Sequence, residues 1–209
     1  MSPRDVIADI RRRYKVDVPH SEDDDPRVGM AGRLLPLVTE ELYESRTHFF
    51  TELLQNADDN QYGDGLVPCF VLRRFRDSLV IENNESGFEE VHVRAICDAA
   101  KSTKANRKKG PDGATGEKGI GFKAVFQVSD RPEVHSNGYH FRFDRNKHGP
   151  FGTVIPEWID GASDSMGTRI VLPLRTDYAL PAEFLKSLQP ELLLFLRRLK
   201  RFEFHDVDY

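Results

Sequence analysis

Glu52-Leu53-Leu54-Gln55-Asn56-Ala57-Asp58-Asp59-Asn60 is the stretch that decides how this chain folds. Written as a helix, it stacks Glu52, Asn56 and Asp59 at i, i+4 and i+7 on one face. Phe50, Leu53, Leu54 and Ala57 gather on the other, so the segment needs a core beneath it. A carboxylate, an amide and a second carboxylate in one stripe offer a base for a water, an oxygen ligand for a hard cation and a further polar contact. The stripe also reads as an ordinary solvated face, although Asn is a poor choice inside an exposed helix.

Downstream runs Gly116-Glu117-Lys118-Gly119-Ile120-Gly121-Phe122-Lys123, continuing into Ala124-Val125-Phe126-Gln127-Val128. Glycines this dense let a backbone approach a ligand closely, and a helix beginning at their end aims free N–H groups at an anion. Two phosphate patterns nearly match and fail. A Walker A loop places Lys directly after its last Gly, whereas Phe122 intervenes before Lys123. Gly119-x-Gly121-x-x-Ala124 fits the dinucleotide spacing, but Pro111-Asp112-Gly113-Ala114-Thr115 does not supply the strand that must precede it.

Taken together, the two passages resemble the GHKL ATPases, which include the heat-shock chaperones of the Hsp90 type, gyrase, MutL and histidine kinases. The family's E-x-x-x-N-x-x-D pattern stands here as Glu52, Asn56 and Asp59, and its glycine box as Gly116, Gly119 and Gly121. A third element, Gly-Thr entering a strand, stands as Gly167-Thr168 before Arg169-Ile170-Val171-Leu172. All three occur in the family's order within roughly residues 30–175. The phrases Leu54-Gln55-Asn56-Ala57-Asp58-Asp59, Asn83-Asn84-Glu85-Ser86-Gly87-Phe88 and Gly119-Ile120-Gly121-Phe122-Lys123 are similar to the sacsin and NO VEIN-type branch.

The resemblance implies an α+β fold, a two-layer sandwich of the Bergerat type with a mixed, mostly antiparallel sheet. It implies Mg²⁺ and ATP as cofactor and substrate, with slow hydrolysis driving lid closure in a chaperone-like or regulatory protein. Asn56 would hold Mg²⁺ and Glu52 would orient and deprotonate the attacking water. Gly116, Gly119, Ile120, Gly121 and Phe122 would hold phosphates, with Lys123 a counter-charge. Asn83, Gly87 and Thr168 would read adenine, with Asp59 in the pocket wall. One element departs from the family: D-x-G-x-G places Asn83 where Asp is expected and Glu85 where Gly is expected. An Asn carbonyl still accepts a hydrogen bond, but losing the charged acceptor costs about 1 kcal/mol. A nucleotide-gated module that does not hydrolyse, or an inactive scaffold, are the alternatives. Nothing resembles a histidine kinase's phospho-acceptor hairpin.

Lys101-Ser102-Thr103-Lys104-Ala105-Asn106-Arg107-Lys108-Lys109-Gly110 admits three readings. It is a solvated loop, or a lid spanning about 98–118 whose Ser102, Thr103 and Lys104 reach phosphates on closure, or a contact to a nucleic-acid backbone. Net charge −4 and pI near 6.0 put the last reading behind the others. The basic Arg197-Arg198-Leu199-Lys200-Arg201 reads as a surface face with its stems packed over apolar neighbours.

With 209 residues, 39% hydrophobic and 31% charged, the chain can bury one core. The expected layout is a helical extension over 1–30 followed by the ATP-binding domain over 31–209, as part of a longer protein. Two cysteines, Cys69 and Cys97, and no apolar run of membrane-spanning length point to an intracellular chain, cytoplasmic or nuclear. The seven His form no zinc pattern. The expected partners are ATP/ADP, a client protein or further domains, and a second protomer on nucleotide binding. Helices are predicted over Arg4–Tyr14, Leu34–Asn60, Val91–Ala100 and, broken near Pro190, Pro181–Lys200. Strands are predicted over Pro68–Arg74, Leu79–Glu82, Tyr139–Asp144, Thr153–Ile155, Thr168–Leu174 and Phe202–His205.

Overall fold

The computed structural model describes residues 1–14, 47–98, 121–161, 167–181, 184, 185, 188 and 190–208. The predicted lid beyond Asp98, and with it Ser102, Thr103, Lys104, Gly116, Gly119 and Ile120, lies outside the described residues. So do the predicted helical turns before Thr47.

Helix α1 (Pro3–Arg13) opens on a capping box: Asp5 N–H donates to Ser2 Oγ at 3.2 Å and Ser2 N–H to Asp5 Oδ2 at 3.1 Å. Its Val6, Ile7 and Ile10 are buried in the same core as the rest of the molecule. Helix α2 (His48–Asp59) buries Phe49, Phe50, Leu53, Leu54 and Ala57, the face its periodicity predicted. It ends where Asn60 turns extended, its N–H on the Ala57 carbonyl at 3.2 Å.

Strands β1 (Cys69–Arg74) and β2 (Ser78–Asn83) form an antiparallel pair, and helix α3 (Glu90–Ile96) follows. After the glycine box comes a 3₁₀ helix, Gly121–Gln127. Strands β3 (Glu133–Ser136), β4 (Tyr139–Arg142), β5 (Glu157–Trp158), β6 (Thr168–Pro173) and β7 (Arg201–Asp206) complete one seven-stranded sheet. Its order is β5-β4-β3-β6-β2-β1-β7, and all pairs are antiparallel except β1 with β7. The α+β expectation with a mixed sheet holds.

Registers fix which side chains share the buried face. Leu72 lies opposite Ile81, Ile81 opposite Ile170, Ile170 opposite Val134, and Val134 opposite Phe141. This apolar band meets the buried face of α2 in one core. The other face carries charge: Glu82 bridges Arg73 and Arg169. At the strand ends the buried face changes character. Asn83 pairs with Thr168 and Thr168 with Ser136, a polar row across three strands.

Two predicted elements differ, and strands β3 and β5 were not predicted. Thr153–Ile155 is a buried turn, because Thr153 must point its carbonyl at Lys123. The segment at Pro190–Phe195 is 3₁₀. For β3 a signal existed: Asn137-Gly138 between β3 and β4 is the two-residue hairpin turn, with φ of 49° and 76°.

Among the described residues no helix is long and apolar enough to cross a membrane. Nor does any group of three His, Cys, Asp or Glu side chains stand ready to hold a metal.

Candidate functional site

Helix α2 packs against the 3₁₀ helix Gly121–Gln127, and their contact explains the last glycine of the box. A Cβ on Gly121 would overlap Glu52 Oε2, with Glu52 Cδ at 3.2 Å and Asn56 Nδ2 at 3.7 Å. Only a glycine lets the helix stripe and the loop backbone come this close. Glu52 and Asn56 therefore both face Gly121. The other Glu52 oxygen, Oε1, lies 2.9 Å from His48 Nε2, one helical turn earlier. The carboxylate is thus held on one side by an imidazole, leaving Oε2 towards the loop.

Beside this contact opens a hollow. Asn56 and Phe122 line it, as do Asn83 and Thr168 of the polar row. Apolar wall comes from Leu53 and Ala57 of α2 and from Ile81 and Ile170 of the sheet. Asn83 and Thr168 are buried. Thr168 Oγ1 and Ser136 Oγ are hydrogen-bonded at 2.6 Å, either hydroxyl being able to donate, and Ser136 Oγ also accepts from Phe88 N–H at 2.8 Å. This chain ties the floor to the loop after β2.

The glycine before Thr168 has its own reason. Gly167 adopts φ +86°, and a Cβ there would overlap the Asn83 carbonyl and stand 2.9 Å from Asn84 Cα. Gly87 turns at φ +87° against Asn137, whose Nδ2 donates to the Phe88 carbonyl at 3.0 Å. Gly87 thus shapes the loop without lining the hollow.

Two predicted residues point elsewhere. Asp59 is not among the lining residues; its carboxylate holds the Arg197 guanidinium. Lys123 is fully buried, and its ammonium donates to the carbonyls of Ile96 and Thr153, each at 2.6 Å. Burial pushes its pKa down to about 8. The expected phosphate counter-charge is therefore a strut joining the end of α3 to the turn at Thr153. Neighbouring Cys97 is equally enclosed, its thiol pushed up to about 12 by burial.

Asp58, in contrast, anchors the sheet edge. Its carboxylate accepts backbone N–H groups from Arg197, Arg198 and Leu199 at 2.8, 2.7 and 2.9 Å. Burial alone would raise its pKa, but these three donors hold it below the ordinary carboxylate value. The adjacent carboxylates at 58 and 59 both serve the approach to β7.

Sequence reading did not find three polar residues. His48 was visible as the i, i+4 neighbour of Glu52. Asn60 and Glu85 also line the hollow and are buried. Glu85 stood out as a charged residue where the resembled family has glycine; Asn60 gave no signal beyond following the helix.

No protein-family model matches the chain. The chain is similar to Protein NO VEIN of Arabidopsis thaliana, 39% identical over 202 residues, which is 84% of this chain and 7% of that protein. It is similar to human Sacsin, 33% identical over 131 residues, 54% of this chain and 3% of that protein. It is also similar to the mitochondrial Heat shock protein 75 kDa of Bos taurus, 24% identical over 183 residues, 69% of this chain and 24% of that protein. The chain thus spans under a tenth of the first two relatives' lengths and about a quarter of the third's. These likenesses point to a sacsin- and Hsp90-like branch.

Proposed function

We propose that this chain is a GHKL-type nucleotide-binding domain of Bergerat fold that binds Mg²⁺–ATP and hydrolyses it slowly. The observation that carries the reading is the meeting of three separated motifs. Glu52 and Asn56 face Gly121 beside a hollow floored by Asn83 and Thr168. The likeness to Heat shock protein 75 kDa and Sacsin supports it.

The residues fit the ligands. Gly121, lacking a Cβ, lets its backbone come close to Glu52 and Asn56, so that the helix motif and the end of the glycine box share one site. Asn56 presents an amide, whose oxygen is the type of ligand Mg²⁺ takes alongside phosphates and water. A lining that is mainly apolar, with Asn83 and Thr168 among its polar members, suits a purine ring. Bound Mg²⁺ would neutralise charge on the phosphates. Glu52, steadied through Oε1 by His48, turns Oε2 to the loop, where a water can lose its proton to it. Thr168, fixed by Ser136, and Asn83 orient the base. Binding would draw the segment beyond Asp98 over the site, coupling occupancy to a client or to further domains of a longer protein.

Replacing Glu52 with Ala separates chemistry from binding. Phosphate release should fall at least a hundredfold while calorimetric affinity for Mg²⁺–ATP stays near wild type. Unchanged release by Glu52→Ala would remove Glu52 from the chemistry. Binding without release in the wild type would favour a nucleotide-gated module.

A further inference from the structure

Two donors from distant parts of the chain meet at the end of α3. The helix stops at Ile96, so its last carbonyls have no partners further along the helix. Lys123 Nζ donates to the Ile96 carbonyl at 2.6 Å, and Tyr14 Oη donates to the next one, that of Cys97, also at 2.6 Å. A cation at a helix C-terminus suits the partial negative charge there.

Both donors lean on one turn. Lys123 Nζ also donates to the Thr153 carbonyl, and the Tyr14 ring lies 5.7 Å from that of Phe151. The turn has little freedom. Val154 and Ile155 N–H both donate to the Phe151 carbonyl, and a Cβ on Gly152 would stand 2.5–2.6 Å from the carbonyl oxygens of Asp144, Arg145 and Lys147.

The clamp reaches the hollow directly. Ile96 and Phe122 line it, and Phe122 sits between Lys123 and Gly121, the glycine against Glu52 and Asn56. Lys123 is 1% exposed, with the rings of Phe143 and Phe126 centred 5.1 and 5.9 Å from its ammonium. Burying a cation is costly, so a position that only filled the core would favour Met or Leu. What the ammonium adds is direction: its N–H groups fix two carbonyls, which a methyl cannot.

We propose that Lys123 and Tyr14 are positioning residues of the nucleotide site, holding the end of α3 against the Phe151–Thr153 turn so that Ile96 and Phe122 keep the spacing the ligand requires. The assignment rests on the nucleotide reading above and deepens it.

Mg²⁺–ATP is titrated calorimetrically into wild type, Tyr14→Phe and Lys123→Met, each checked for folding by circular dichroism. Tyr14→Phe keeps the ring on Phe151 and loses only the hydroxyl; it should bind about threefold weaker. Lys123→Met keeps an apolar stem and loses both hydrogen bonds; it should bind at least about tenfold weaker. A pH profile separates positioning from packing. The ionisable groups facing the ammonium are those of Cys97 and Asp98, with Tyr14 on the adjoining carbonyl. Carboxylates titrate at about pH 4 and phenols at about 10, and burial pushes the Cys97 thiol up to about 12. Burial brings Lys123 down to about 8, so in this group it is the one that loses its charge between pH 7 and pH 9. Wild-type affinity should fall about threefold over that span, while that of Lys123→Met stays flat.

Affinity of folded Lys123→Met within twofold of wild type would overturn the assignment. So would a flat wild-type profile, or a slope that Lys123→Met retains; each leaves the nucleotide reading intact. Wild-type affinity in folded Tyr14→Phe would overturn it for Tyr14. Should Lys123→Met misfold, the wild-type profile and Tyr14→Phe still decide. If wild type binds no Mg²⁺–ATP at pH 7, the nucleotide reading fails and this assignment falls with it.

Discussion

Gly121→Ala separates the needs of folding from those of the site. The added methyl would overlap Glu52 Oε2, with the carboxylate carbon only 3.2 Å away. What it meets is the far end of a flexible side chain, so Glu52 swings aside and the backbone stays. Leaving its rotamer costs about 1 kcal/mol. Losing the contact to His48, made by partly exposed groups, costs about 0.5 kcal/mol. Gly121 lies outside the left-handed region, so restricting the unfolded chain returns about 0.4–1 kcal/mol. The net loss is about 1 kcal/mol or less, at most about 4 °C in melting temperature for a chain this size. The proposed hydrolysis has no such slack, because displacing Glu52, its proposed general base, would forfeit about 10²–10⁴ in rate. Differential scanning fluorimetry beside a phosphate-release assay should show a nearly unchanged melt and at least a hundredfold slower release. Wild-type release from folded Gly121→Ala would refute the Glu52–Gly121 contact as part of the chemistry.

Other perturbations follow from the same geometry. His48→Ala should slow phosphate release about tenfold with nucleotide affinity unchanged, and His48→Gln, which keeps a donor near the Nε2 position, should recover most of it. A loss shared equally by both variants would make His48 mere packing. Asp58→Ala should cost about 3 kcal/mol, read by denaturant melts, because three backbone N–H groups lose their acceptor. Since the folded Asp58 carboxyl sits below its ordinary value, its contribution is complete above about pH 4 and fades as pH falls through the folded value. Asp58→Asn should therefore flatten the acid side of the stability profile; an acid limb identical to wild type would contradict this.

The framework of the candidate site was legible where its constraints are local. The spacing of Glu52 and Asn56 is a helical period, and the apolar residues between them fixed which face α2 buries. Gly121 and Gly167 were legible as glycines, though their reasons were not: one clears the Glu52 carboxylate, the other the Asn83 carbonyl. Lys123 misled because its neighbours in sequence suit a phosphate loop, while its ammonium is claimed by carbonyls 27 and 30 residues away. Asp59 misled in the same way, its partner Arg197 lying 138 residues on. The parallel pairing of β1 with β7 is equally long-range and left no pattern in either strand. The β3–β4 hairpin was legible in Asn137-Gly138 and went unread because four-residue strands carry too little alternation.

Calorimetric titration of Mg²⁺–ATP into wild type and Asn56→Ala bears most directly on the central claim. Saturable binding that requires magnesium in the wild type, and weakens at least tenfold in folded Asn56→Ala, is the predicted result. Absence of heat at millimolar nucleotide, or equal affinity in the two proteins, would contradict a metal-chelated triphosphate held between α2 and the Gly121 turn.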